Sequence, residues 1–406
     1  MLTRTLSSVL TKAVHTFPAV ILTGPRQSGK TTLLKKQFGQ THDYINLELP
    51  DVRLRAQADP AGFISQLKKP TIIDEIQYLP ELLSYINVCI EEKRIPGFWL
   101  LTGSQNFALM EKTSQSLAGR AAVLSLLPLS VSELFQNGRF AFQPSNWLSE
   151  LPEPSSNAVS APVSQLLLRG LYPEISSSLE VDRDLWCSSY ITTYLERDIR
   201  NLTQVGDLGL FHQFLRACAI RTGQILDLSS LAREIGVSFP TAKRWLSLLE
   251  TGFQVLLVYP YYRHLGKRLV KRPKIYFLDP GLAAYLLGLN SPEIIVSSPY
   301  YGQLFETLVV TDFYKRFLHH GQTPSLFYLR TQDGLEIDLV IEIAGKLNLI
   351  EIKSSATITP DHSTSLVRLQ HELKKQVEKA LIISNSPNKF ILPNNIEVRP
   401  VSSLCV

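Results

Sequence analysis

The chain has 406 residues, 45% of them hydrophobic and 19% charged. That balance excludes a disordered chain, which has too few apolar side chains to offset its ordering entropy, and the length implies two or three domains. Lys and Arg number 41 against 36 Asp and Glu, a net charge of +5, which says little about an anionic partner unless it is clustered.

The longest apolar runs, such as 253–262, fall short of the roughly 18–20 residues that cross a bilayer, so no membrane span is expected. Cys89, Cys187, Cys218 and Cys405 have no paired spacing, which suits buried thiols in a reducing, cytoplasmic setting better than disulfides or zinc. Leu2, Leu6, Leu10 and Val14 recur at near-helical spacing and predict an amphipathic helix rather than a signal peptide.

An apolar run at 19–22 leads into Gly24-Pro25-Arg26-Gln27-Ser28-Gly29-Lys30-Thr31 and a helical stretch from Thr32 to Phe38. Strand, glycine loop and helix in this order form a phosphate cradle: the loop turns successive N–H groups toward phosphate, and the helix N-terminus adds partial positive charge. Lys30 would neutralise the β and γ phosphates of ATP, and Thr31 would offer its hydroxyl to Mg²⁺. At 70–77, Pro-Thr-Ile-Ile-Asp-Glu-Ile-Gln is an apolar strand ending in two carboxylates. Asp74 would hold Mg²⁺ through water and Glu75 would polarise the attacking water. A third strand, 98–103, ends at Ser104 and Gln105, where a γ-phosphate sensor is expected.

These residues resemble the prokaryotic AAA-type ATPases whose glycine loop reads G-P-R-Q-x-G-K-[ST] and whose second motif reads D-E-[IV]-Q. The resemblance extends from about Leu2 to Phe135 and takes in Leu117-Ala118-Gly119-Arg120 and Leu127-Pro128-Leu129-Ser130. It implies an α/β parallel-sheet P-loop domain over 1–136. It also makes Arg120 a candidate to stabilise γ-phosphate charge, in its own subunit or a neighbour's if the protein is oligomeric; a structural salt bridge is the alternative.

Residues 137–166 are rich in Pro, Ser, Asn and Gln and read as an insertion or linker. Over 167–292, Arg169-Gly170-Leu171-Tyr172-Pro173-Glu174 looks like the lid segment of the same ATPases, although Leu171 replaces a glycine. Tyr190 to Asp198 resembles a signature of the uncharacterised domain that commonly follows them. The spacing of 228–236 and 239–250 predicts a helix-turn-helix, and two strand-like runs after it make a winged helix. Between those runs lie Arg263, Lys267, Arg268, Lys271, Arg272 and Lys274, with no acid from 255 to 277. With Thr241, Lys243 and Arg244 on the second helix, these are the expected nucleic-acid contacts, most simply to DNA; a solvated or protein-docking hairpin is the bland alternative.

Over 293–406 the predicted order is α, β, β, β, α, β. Glu306 falls on the first helix, Asp338 on one strand, and Glu351 and Lys353 two residues apart on the next, hence on one face. This resembles the PD-(D/E)XK nuclease fold, a restriction-endonuclease-like core, without the family's leading proline before Asp338. The resemblance implies Mg²⁺ on Glu306, Asp338 and Glu351, with Lys353 orienting water. The expected protein is thus an ATPase acting on nucleic acid, with a nuclease site gated by ATP. The alternatives are a conformational switch that binds without cutting and an ATPase that remodels a protein client.

Overall fold

Parallel strands buried on both faces need apolar residues at every position rather than every second one, and β1 (Ala19–Thr23) is buried along its whole length. In the computed structural model, residues 2–103, 117–135, 143–149, 162–195, 208–261, 271–331 and 334–405 are described. Ala19 and Ile21 enter one core with Ile73, Leu101 and Ile86. Val20 and Leu22 enter another with Leu6, Leu10, Leu33 and Leu100, so the N-terminal helix Leu6–Thr16 packs through the stripe its spacing predicts. With β2 (Asp43–Asn46), β3 (Thr71–Asp74), β4 (Trp99–Gly103) and β5 (Ala121–Ser125), β1 forms a parallel sheet of order β2-β3-β4-β1-β5. This sheet is the frame of the first of two compact units, Met1–Pro128 with Thr251–Phe253 and Leu318–Gln322.

The second unit contains a nine-stranded mixed sheet. Helices Leu228–Ile235 and Phe239–Thr251 flank a turn at Gly236, whose φ of 79° is the left-handed conformation that glycine adopts without a Cβ penalty. Trp245 of the second helix packs edge-on against Phe211 and Phe214. Strands β6 (Gln224–Ile225), β7 (Val255–Pro260) and β8 (Lys274–Phe277), one before and two after these helices in the chain, form one end of the sheet. Next in the chain come the long buried helix Tyr301–His319 and strands β9 (Leu326–Arg330), β10 (Glu336–Ile343), β11 (Lys346–Lys353) and β12 (Val377–Ser384).

Two features depart from the sequence-based expectation. The modules at 167–292 and 293–406 share one sheet, because β7 pairs in parallel with β9 through Tyr259↔Phe327 and Pro260↔Tyr328. Two further short strands, β13 (Phe390–Ile391) and β14 (Glu397–Pro400), extend the sheet beyond β12. Both are too short to carry a readable alternation. Ser104, Arg263, Lys267, Arg268 and most of 137–166 lie outside the described residues. The four cysteines are free, three of them buried, and among the described residues no helix is long and apolar enough to cross a membrane.

Candidate nucleotide site and a second acidic site

The glycine loop follows β1 directly. Gly24 has φ 144°, and a Cβ there would stand 2.1 Å from the Leu126 carbonyl oxygen, so both conformation and space demand glycine. Gln27 and Gly29 also have positive φ, and Lys30 opens the helix Lys30–Phe38. The buried Lys30 ammonium donates to the carbonyls of Gly24 (2.9 Å) and Pro25 (2.8 Å). Ser28 Oγ is buried without a hydrogen-bond partner, the orphaned polar atom that a phosphate oxygen would satisfy.

Asp74 at the end of β3 collects three hydroxyls: Thr31 (2.9 Å), Tyr44 (2.6 Å) and Thr102. Burial, then the Asp74 carboxylate, pushes the Tyr44 hydroxyl well up, so it stays a donor. Glu75 sits at φ 58°, a conformation rare outside glycine that recurs at functional sites. Its N–H donates to Thr102 Oγ1 (3.1 Å), and its carboxylate accepts from Gln77. The donors therefore suit ATP with Mg²⁺: Gly24 to Thr32, with Pro25, Arg26 and Gln27, would wrap the phosphates, and Thr31 and Asp74 would hold the metal.

Sequence reasoning missed Thr102, Tyr44 and Arg4. The buried Arg4 donates to the carbonyls of Ser28 (2.7 Å) and Leu127 (2.6 Å), pinning the loop. The only sequence signal for Thr102 was its place at the polar tip of a buried strand.

Arg120 requires a correction. It precedes β5, whose Ala121 pairs with Ala19 at the start of β1, whereas the glycine loop leaves the far end of β1. Five residues of strand at about 3.3 Å each separate the two ends by ~16 Å. Arg120 instead pairs with Glu91 (2.8 Å) and donates to Asn87 (2.9 Å) on the helix Leu82–Glu92. Within its own chain it is a structural salt bridge.

In the second unit, Glu306, Asp338, Glu351 and Lys353 come together. A two-residue turn at Ala344-Gly345, both at positive φ, closes the β10–β11 hairpin. Asp338 lies where the β9–β10 register shifts, an irregularity of the kind that re-aims side chains beside sites. Asp338 accepts from the Ile352 N–H (2.8 Å), and Lys353 donates to Glu351 Oε1 (2.6 Å).

Lys274, expected among the nucleic-acid contacts, is a second correction. It is 3% exposed, and its ammonium lies 2.9 Å from Glu336, 3.0 Å from Glu306 and 3.6 Å from Asp338. The β7–β8 hairpin delivers it to the acids. Although burial opposes its charge, Tyr276, Glu306, Asp338 and Glu336 hold it protonated, well above the usual lysine range.

The donor types here, three carboxylates, suit Mg²⁺, and Glu351 Oε2 is buried with no hydrogen-bond partner. The arrangement does not suit it, because the oxygens of Glu306 and Asp338 face an ammonium. Among the described residues no group of three or more His, Cys, Asp or Glu side chains is disposed to hold a metal ion.

Burial, then Asp338, pushes Glu306 up to about 7 and Glu351 up to about 8. Both values exceed those of the unfolded chain, so the fold retains protons that the unfolded chain releases. The stability they contribute is full below the unfolded pKa and is lost as pH rises through about 7 and about 8. In EDTA, the denaturation midpoint should therefore fall between about pH 5 and about pH 9, and Glu351→Gln should flatten that fall.

Of the other basic residues, Lys243, Arg244, Lys271 and Arg272 are exposed. Arg272 pairs with Asp227 (2.6 Å). The Thr241 N–H and hydroxyl are engaged by Ser238, as a helix cap.

An AAA domain model matches residues 16–135, and two domains of unknown function follow, DUF8612 at 161–293 and DUF4143 at 301–404. Uncharacterized proteins of Mycobacterium tuberculosis and Mycobacterium bovis are each 30% identical over 398 residues, 97% of this chain and 82% of theirs. Among solved structures, the chain is similar to a Walker-type ATPase of Pyrococcus abyssi, at 17% identity and TM-score 0.43 over 70% of this chain and 94% of that one. It is also similar to the Thermotoga maritima RuvB Holliday junction branch migration motor, at 19% identity and TM-score 0.30 over 62% and 88%.

Proposed function

This chain belongs to one family with the two mycobacterial proteins and carries a P-loop ATPase domain, and from that premise we propose that its ATPase serves work on nucleic acid, with a phosphodiester-cleaving site in the second unit. The nucleotide chemistry follows from the residues already described. Lys30 meets phosphate charge, and Glu75, with its carboxylate held by Gln77, orients the attacking water. Bound between Thr31 and Asp74, Mg²⁺ would supply further neutralisation of the phosphate oxygens.

The observation that carries the cleavage reading is the meeting of Glu306, Asp338, Glu351 and Lys353 at one place. The Lys353 ammonium can meet phosphodiester charge, and a neighbouring carboxylate can hold an attacking water. The exposed Lys243, Arg244 and Lys271 supply charge for a nucleic-acid backbone, which argues for salt-dependent binding of low sequence selectivity.

A second reading, a switch that binds without cutting, is favoured by Lys274, which already neutralises two of the acids. The test incubates the protein with plasmid and single-stranded DNA, ATP, and Mg²⁺ or Mn²⁺. Cutting should occur with wild type, vanish in Asp338→Ala, and lose only its ATP dependence in Lys30→Ala. No cutting by wild type under any condition would leave the switch. An ATPase rate raised by a protein client and indifferent to DNA would point instead to protein remodelling.

A further inference from the structure

A divalent ion needs carboxylate oxygens at about 2.0–2.6 Å. Two candidate donors in the second unit, Glu306 Oε1 and Asp338 Oδ1, both already face Lys274 Nζ, at 3.0 and 3.6 Å. An ion bridging those two atoms would draw on the same two oxygens as the ammonium, so that two like charges would share one pair of carboxylates in a site shielded from water. The ammonium and the metal therefore compete for the same two oxygens.

Lys274 is also well held where it is. Glu336 accepts from it at 2.9 Å, and the Tyr328 ring lies 5.6 Å from its nitrogen. The Tyr276 hydroxyl, two residues along β8, donates to Glu306 Oε1 at 2.6 Å and fixes the shared carboxylate. Against this, Glu351 Oε2 is orphaned although the residue is only 7% exposed. One carboxylate oxygen of the cluster is thus unpaired by either lysine.

We propose that Lys274 is a tethered cation that closes the acidic site of the second unit to divalent metals, so that metal enters only when the β8 lysine leaves Glu306 and Asp338. Lys274 is in this sense a positioning residue: it keeps the carboxylates together while excluding the ion they would take. The exposed Lys271 lies three residues before it on the same approach to β8, so a partner bound there can act on Lys274 through a short length of backbone.

The inference rests on reading Glu306, Asp338 and Glu351 as metal donors, but not on their cutting anything. It is tested on the full chain, stripped with EDTA and free of nucleotide, using Tb³⁺ luminescence excited through tyrosine, with Tyr276 as the antenna beside Glu306. Lys274→Met should bind Tb³⁺ at least about tenfold more tightly than wild type, and adding Asp338→Asn should remove the gain. Equal affinity in wild type and Lys274→Met, or a gain that survives Asp338→Asn, would overturn the proposal.

Should Lys274→Met fail to fold, wild type and Asp338→Asn decide. Millimolar Mn²⁺ should raise its unfolding temperature no more than it raises that of Asp338→Asn. A larger rise in wild type would mean that metal enters with the lysine in place, and the lock would not exist. Failure to cut DNA, by contrast, would sink the cleavage reading and leave this result untouched.

Discussion

Replacing Lys30 by alanine is expected to lower ATP turnover by at least about 100-fold, the scale on which losing one preorganised charge at a developing phosphoryl transition state is felt. The ammonium is buried and rests on the carbonyls of Gly24 and Pro25, so it is already inside the loop when nucleotide arrives. Nucleotide affinity should fall with turnover, because the same charge meets the ground-state phosphates. Glu75→Gln separates the two effects: affinity for ATP should be kept while turnover is lost if, as proposed, that carboxylate acts on water rather than on phosphate. Phosphate release and calorimetry on the three proteins make the measurement. A Lys30→Ala protein that turns over ATP within about twofold of wild type would overturn the assignment of this loop.

Asp312→Ala carries the largest expected stability change, about 3–5 kcal/mol, because it leaves a buried arginine without its carboxylate. Asp312 and Arg316 are both fully buried on the helix Tyr301–His319, with Nε 2.7 Å from Oδ2. The other Asp312 oxygen accepts from the Val131 N–H (2.7 Å), and Arg316 continues to the Leu404 carbonyl. One ion pair thus ties the N-terminal and C-terminal ends of the second unit to its central helix. Chemical denaturation should show the loss, and Asp312→Asn, which keeps an acceptor for Val131, should lose less. A midpoint unchanged in Asp312→Ala would mean that the pair contributes nothing net.

The nucleotide site was legible because its demands are local. A loop that turns its amides toward one point favours glycine where φ is positive, as at Gly24 and Gly29, and the strand before it must be apolar to be buried on both faces, as β1 is. Glu351 and Lys353 were legible for the same kind of reason, since strand period alone puts them on one face. For Arg120 the motif leaves a nucleotide role and a salt bridge both open, because similarity of a motif does not say at which end of a strand a residue lies; the β1–β5 register does, and within the chain the salt bridge is what forms. Thr102 and Tyr44 went unnoticed because which strand stands beside β3, and so which hydroxyls reach Asp74, depends on strand order rather than on any spacing.

Lys274 marks the boundary most clearly. Its neighbours in sequence are basic, and taken locally it belongs with them on a charged hairpin. Pairing of β7 with β9 puts β8 in one sheet with β10, and the Lys274 side chain reaches Glu336, Asp338 and Glu306, so that a charge expected at the surface is a buried counter-ion. The sequence alone determined the elements, the phosphate loop and the carboxylate–lysine set, because helix and strand periods and glycine's backbone freedom act over a few residues. Only the tertiary structure decided which charges meet, because electrostatic partners are chosen by distance in space, and residues 32 and 64 positions apart, one on a helix and one on a strand, come within 3.6 Å of one ammonium.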